Sequence, residues 1–449
     1  MLRFRPEMNQ KNNKPHAFKV AILTFFLTVA ATLLVLNFTS GERKIEEKVE
    51  REYALRDDQF QRALGVLLGP PITTGNVFKA LYNGDEIFPP MLEAIRGAKQ
   101  SITFETYIYW SGDIGRAFAD ALSERARAGV SVHVLLDWVG SAKISEEFLK
   151  EMESAGVHVR KFHKPSWYDI ARLNNRTHRK LLIADGRIGF TGGVGIAPTW
   201  TGHAQDPDHW RDSHYRVEGP VVAQMQSVFM DNWIKASGEV LHGERYFPKI
   251  VPDPAVAAGG STGISGGGRA QMFSSSPSGG SESMHLMYLL AIAAATQTID
   301  LSSAYFVPDE LTRNALVAAV KRGVRIRIIT PGPLIDAEAV RAASRASWGP
   351  LLEAGIEISE YQPTMFHCKV FTVDGLLVSV GSTNFDNRSF RLNDEANLNI
   401  YDEAFAARET QVFEADLKLS KRVTFEAWQN RPLHEKAKEK LASLLASQL

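Results

Sequence analysis

Two stretches of this chain carry histidine, lysine and aspartate at one spacing. His178 is followed by Lys180 and Asp185-Gly186, and His367 by Lys369 and Asp374-Gly375. Residues i and i+2 of a strand share a face, so each histidine and its lysine point into one pocket. Leu181–Ala184 and Val370–Val373 read as buried strand that ends in an Asp-Gly turn. Such a constellation suits phosphodiester chemistry. A neutral imidazole can attack phosphorus and form a phosphohistidine, which splits one hard step into two. A second imidazole can protonate the departing oxygen and later deprotonate the incoming alcohol. The lysines neutralise the nonbridging oxygens where charge builds. A lone His-x-Lys carries no weight, but of the twelve histidines only these two sit in His-x-Lys-x4-Asp-Gly. Two satisfied core histidines would leave the matched spacing unexplained.

The elements that must position the two motifs are themselves repeated. Ile102–Trp110 is a strand-like run, Ile114–Ala128 has apolar residues at helical spacing, and Gly129-Val130 leads into the strand Val132–Leu136. Ile299–Val307, Leu311–Lys321 and Gly323-Val324 before Arg325–Ile329 repeat that order. Ala155-Gly156-Val157 is echoed by Ala354-Gly355-Ile356. Strands alternating with helices predict α/β layers with a largely parallel sheet. Between the copies, six of the ten residues 259–268 are glycine, which reads as a linker. The expected organisation is a basic segment 1–19, an anchor 20–37, a juxtamembrane segment 38–75, a first lobe 76–250, a linker 251–269, a second lobe 270–425 and a helical tail 426–449.

Composition narrows the partners. At 449 residues the chain is long enough for two domains. With 51 basic and 51 acidic residues the net charge is zero. A general nucleic-acid binder would be basic, so no nucleic acid is expected. The one cysteine, Cys368, cannot form an internal disulfide. Val20–Leu36 is an uncharged apolar run of 17 residues, the short end of a bilayer-spanning helix. The polar stretch before it and the lack of an A-x-A site after it favour an uncleaved anchor over a signal peptide or a buried helix. Five basic residues precede the run and four follow it among acids, which leans toward an internal N-terminus and a catalytic part outside the cytosol.

Across residues 76–425 the sequence resembles the phospholipase D superfamily, and within it the bacterial cardiolipin synthases. The resemblance rests on Leu81–Asp85, Ile114–Leu122, His178-Arg179-Lys180, Phe190–Gly193 and Trp210–Pro220, with Trp210-Arg211-Asp212 and Glu218-Gly219-Pro220 the most telling. It implies two similar phospholipase D-type lobes, each a mixed, mostly parallel sheet flanked by helices, that form a pseudo-dimer behind one transmembrane helix of a bacterial inner membrane. It also implies transfer of a phosphatidyl group to the glycerol headgroup of phosphatidylglycerol, with no metal or nucleotide cofactor. Phosphatidylethanolamine is a second possible donor. His178, Lys180, Asp185, His367, Lys369 and Asp374 would be the catalytic set, with His178 as nucleophile. The two aspartates would more often hold a turn than touch substrate. Asn384 and Ser382 would join the lysines on phosphate. Glu395 stands where the family places a carboxylate that orients the histidine, and Asp212 is the corresponding candidate in the first lobe.

The first motif departs from the family pattern. Gly195 stands where an asparagine is usual, and Thr199 is a possible substitute. Trp167 and Tyr168, in an insertion before His178, suit either a lipid interface or packing under a loop. His203, Asp206, Asp208, His209, Asp212 and His214 form a rival metal-binding segment, but their spacing matches no compact ligand signature. The alternatives to a transferase are a phospholipase or nuclease, where water replaces the alcohol, and a lipid-binding protein crippled at Gly195.

Overall fold

The computed structural model describes residues 14–39, 45–163, 175–250, 265–277, 282–444 and 446. Trp167, Tyr168 and most of the glycine-rich segment lie outside them. The helix Lys14–Thr39 belongs to a compact unit separate from the body of the chain. Phe18, Leu23, Phe25, Phe26 and Leu27 of this helix are exposed. Among the described residues no helix is long and apolar enough to cross a membrane. The expected span also includes residues 33–37, whose side chains are outside the described set.

The body is built on one 16-stranded sheet. Its first half holds β1 (Thr73–Tyr82), β2 (Ser101–Thr106), β3 (Ser131–Asp137), β4 (His158–Phe162), β5 (Arg176–Thr177), β6 (Leu181–Ala184), β7 (Ile188–Gly192) and β8 (Ser213–Glu218). Its second half holds β9 (Ser265–Ser275), β10 (Thr298–Ser303), β12 (Arg325–Pro331), β13 (Glu357–Tyr361), β14 (Lys369–Val373), β15 (Leu377–Gly381), β17 (Asn393–Tyr401) and β18 (Ser420–Val423). Two short strands, β11 (Phe306–Val307) and β16 (Phe385–Asp386), pair beside it. From the centre outward the first half runs β1-β8-β7-β6-β2-β3-β4 and the second β9-β17-β15-β14-β10-β12-β13. The repeat read in the sequence is thus a repeat of strand order.

Two expectations need correction. The halves are not mostly parallel: along the main strand order β2-β3-β4 and β10-β12-β13 run parallel and the other neighbours are antiparallel, while the two-residue β5 pairs in parallel with β17 beside it. Parallel strands need helical crossovers. Asp113–Arg127 and Glu310–Lys321 supply them with buried stripes that include Phe118, Leu122, Leu316 and Ala319. Asp309 starts the second of these helices by accepting from the Thr312 amide, a cap worth about 1 kcal/mol. The Asp-Gly turns instead make hairpins, so β6-β7 and β14-β15 are antiparallel. Second, the end of the expected linker is not a linker. Ser265 opens β9, which pairs with β1 on one side and β17 on the other and closes the halves into one sheet. Phe78, Tyr215 and Met225 share a core cluster there with Met272, Leu398 and Phe405. The tail folds as the helices Phe425–Gln429 and Leu433–Ser443, and Glu439 of the latter pairs with Arg345 and Arg431.

Candidate active site

Both motif histidines line one cleft of about 350 Å³. His178 and Lys180 lie just before β6, and His367 lies two residues before Lys369 opens β14, so extended-chain alternation delivers each imidazole and its lysine together. Tyr107, Ile108, Arg176, Trp200 and Trp210 line the cleft from the first half, and Tyr305, Asp336, Asn384, Arg388 and Asn393 from the second.

Each histidine is held by the opposite half of the chain. The His178 ring Nδ1 lies 3.0 and 3.1 Å from the carboxylate oxygens of Glu395 on β17. The His367 Nδ1 lies 2.7 Å from Asp212, beside β8. The backbone repeats the exchange, since the His178 amide donates to the Asp394 carbonyl at 2.9 Å and the His367 amide to the Arg211 carbonyl at 2.8 Å. Both are continuations of short parallel bridges, Arg176↔Asn393 and Arg211↔Phe366. Glu395 also accepts from Ser382 Oγ at 2.5 Å and Asn393 Nδ2 at 3.2 Å. Asp212 accepts from Trp200 Nε1 at 2.9 Å and the Ser213 amide at 2.8 Å. Each carboxylate thus faces the histidine of the opposite half, and the pairs are crossed.

The electrostatics follow from burial. It pushes the His178 imidazole down to about 4, against the opposing pull of Glu395. Burial and then Lys369 lower His367 as well, again against its carboxylate partner. Both imidazoles are thus neutral near pH 7. For Glu395 and Asp212 burial alone would raise the carboxyls, but the facing histidines, with smaller help from the lysines, hold both below the ordinary range. An ionised carboxylate only accepts, so each Nδ1 carries the proton and each Nε2 keeps a lone pair. Lys180 is lowered to about 7, chiefly by burial. Lys180 and Lys369 each donate to the carbonyl of their own histidine, at 2.6 and 2.7 Å.

Several expected site residues stand elsewhere. Asp185 and Asp374 are not in the cleft. Asp185 accepts from the amides of Lys99, Gln100 and Ser101, and Asp374 from those of Thr296, Gln297 and Thr298. They tie hairpin turns to the starts of β2 and β10. Ser382 is fully buried and holds Glu395 instead of facing substrate. Gly193 occupies the position equivalent to Ser382, and a Cβ there would sit 2.1 Å from Asp212 Oδ1. Gly195 is explained similarly: a Cβ would meet Ile108 Cβ at 2.8 Å and the Trp200 ring at 3.1 Å. The tryptophan occupies the space that an asparagine side chain would need. Thr199 does not line the cleft. The rival metal segment is dispersed, with His203 on Asp85, His209 on Asp206 and Asp212 on His367. No group of three or more metal-ligating side chains is found among the described residues. Sequence reasoning missed Arg176, although it stands two residues before His178 and so shares its face, and it missed Trp200, Arg388 and Asn393.

The chain is similar to several known proteins. The family profile described as "Cardiolipin synthase, PLD-like domain" matches residues 91–233 and 288–417. The probable cardiolipin synthase YwiE of Bacillus subtilis is 35% identical over 84% of this chain and 73% of its own length. Cardiolipin synthase A of Pseudomonas fluorescens is 35% identical over 81% and 73%, and cardiolipin synthase 1 of Bacillus anthracis 32% identical over 90% and 79%. The phosphatidylserine synthase of Haemophilus influenzae has a similar fold, with a TM-score of 0.65, 14% identity, and coverage of 87% of this chain and all of that one.

Proposed function

This chain belongs to the phospholipase D-like family of cardiolipin synthases, and from that premise we propose that it is a phosphatidyltransferase that makes cardiolipin from phosphatidylglycerol in two steps at the crossed histidine pair. The observation that carries the reading is the pair of buried, neutral imidazoles, each with Nδ1 tied to a carboxylate of the other half and both facing one cleft. In the first step His178 Nε2 bonds to the donor phosphorus. The P–O bond to the glycerol headgroup breaks as His367, reacting from the fraction of molecules in which Nε2 is protonated as well as Nδ1, gives its Nε2 proton to the departing oxygen so that glycerol leaves. In the second step His367 takes the proton from the hydroxyl of a second phosphatidylglycerol. That oxygen bonds to phosphorus, and the P–N bond returns its electrons to His178. Assigning the proton-carrying role to His367 is supported by its shorter carboxylate contact, 2.7 Å against 3.0 Å. Lys180, Lys369 and Asn384 are assigned to the nonbridging oxygens; Asn384 lines the cleft and would donate through its amide Nδ2.

The two halves are read as a pseudo-dimer, supported by their matched strand order. The N-terminal helix is read as a single-pass anchor in the bacterial inner membrane, with the catalytic body on the non-cytoplasmic side. Its support is the apolar run Val20–Leu36 and the exposed side chains from Phe18 to Leu27. An anchor would concentrate the lipid alcohol at the site, which a transferase needs in order to compete with water. Labelled phosphatidylglycerol vesicles test the function. Cardiolipin and free glycerol in equal amounts, with phosphatidic acid as a minor product, are expected. Dominant phosphatidic acid without cardiolipin would make the protein a phospholipase, and oligonucleotide cleavage without any lipid product would make it a nuclease.

A further inference from the structure

The two halves of the cleft are not equivalent, and the difference is one of charge. Arg176, His178 and Lys180 stand at alternate positions of the extended segment between β5 and β6, and all three line the cleft. The residue two before His367 is Met365, which is buried. Arg388 lies four residues after Asn384 in the helix Asn387–Arg391 and also lines the cleft. The equivalent position after Gly195 is Thr199, which does not. Neither arginine has a counterpart at its equivalent position, and His367 instead has Trp200 and Trp210 against it, with ring centroids 5.3 and 5.4 Å away.

The two guanidiniums also belong to one local field, because Arg388 is held below its ordinary value first by burial and then by Arg176. Two acids line the same cleft. Asp336 accepts from Tyr305 Oη at 2.8 Å, and Asp386 accepts from the Ser389 amide at 2.7 Å. Beside Arg176, across the parallel bridge, Asn393 is 95% buried and lines the cleft with an Oδ1 that has no hydrogen-bond partner. Two cations and an idle acceptor at one side of a phosphoryl-transfer centre suit a ligand that carries a second phosphate and a hydroxyl. We propose that Arg176 and Arg388 form a second anion subsite, separate from the reacting phosphorus, that holds the phosphodiester of the acceptor phospholipid while Asn393 Oδ1 accepts from its glycerol headgroup.

This rests on the transferase reading and deepens it. During the second step two phosphates must be present at once, one on His178 and one on the acceptor. Water and free glycerol carry no phosphate, so the subsite selects the anionic lipid alcohol over both. Planar guanidiniums bind a phosphodiester through paired, charge-assisted hydrogen bonds.

The test makes acceptors compete for one intermediate. Phosphatidylglycerol vesicles are supplied with labelled glycerol, so that cardiolipin reports the phosphate-bearing acceptor and labelled phosphatidylglycerol the neutral one. Soluble glycerophosphoglycerol, which has the phosphodiester without acyl chains, replaces glycerol in a second arm. Arg176→Gln, Arg388→Gln and the double variant are compared with the lysine variants. For the double variant the ratio of cardiolipin to labelled phosphatidylglycerol is expected to fall about tenfold or more. Preference for glycerophosphoglycerol over glycerol should fall with it, and lysine should restore part of the ratio. An unchanged ratio, or equal loss of every product, overturns the proposal. So does a loss seen with vesicles but not with glycerophosphoglycerol, since that would place the arginines on the membrane surface. Failure of the transferase reading appears separately, as a wild-type protein that makes no cardiolipin.

Discussion

Replacing Glu395 by Gln tests the crossed geometry at its centre. The substitution keeps the shape of a side chain that is fully buried and contacts His178 Nδ1 at 3.0 Å. It removes the negative charge facing the imidazole as phosphorus bonds to Nε2 and the ring becomes cationic. Two unit charges about 4 Å apart interact with roughly 4 kcal/mol at an effective dielectric of about 20. That corresponds to about 10³-fold in kcat. The loss grows if the new amide turns its NH2 toward His178, because Nδ1 must then accept and Nε2 loses its lone pair. Ser382, which donates to Glu395 at 2.5 Å, can accept from the amide instead, so the fold should hold. The assays are kcat on phosphatidylglycerol vesicles and the ¹⁵N shifts of the two ring systems. Glu395→Gln should move the His178 nitrogens and leave those of His367 near their wild-type values. Asp212→Asn should do the reverse. A kcat within about tenfold of wild type would refute the electrostatic argument, and a shift at His367 instead of His178 would refute the crossing.

Other consequences are as direct. Burial lowers Lys180 to about 7, so the free enzyme loses this ammonium as pH rises through that value. The profile of kcat/KM, which reports free enzyme, should fall above about pH 7, and Lys180→Arg should move that limb upward; an unmoved limb assigns it to another group. Asp374→Ala leaves three backbone amides without their acceptor and should cost about 2–4 kcal/mol in denaturant unfolding, with kcat per folded molecule kept within about threefold. A large fall in kcat at unchanged stability would return Asp374 to the chemistry. Activity should survive excess EDTA, and a loss that only added metal reverses would revive the dispersed His203–His214 segment.

What was legible in the sequence is what short-range geometry encodes. The i, i+2 spacing placed each histidine with its lysine on one face, and the Asp-Gly pairs marked the hairpins. The crossing was not legible, because it depends on which strands meet 217 and 155 residues apart. Local patterning is the same whether Glu395 serves His367 or His178. The run from Ser265 to Gly268 read as linker because glycine disfavours strands, yet pairing with β1 and β17 overrides that preference. Gly195 looked like a missing phosphate ligand, and only packing shows Trp200 in its space.

The exchange of carboxylates between halves also sets when the chain becomes chemically competent. During synthesis, His178 emerges long before Glu395, and the first half can complete most of its own strands without it. Until β17 arrives, the first imidazole lacks both the carboxylate on its ring and the carbonyl that holds its backbone amide. His367 is in the converse position: its partner Asp212 is waiting when it is made. Contacts so distant in sequence form late, because the chain entropy of closing them must be overcome before they give any stabilisation. A chain that stops short of Glu395 therefore carries His178 without the carboxylate that orients its ring. Assembly of the site is thereby tied to the closing of the two halves, through topology alone.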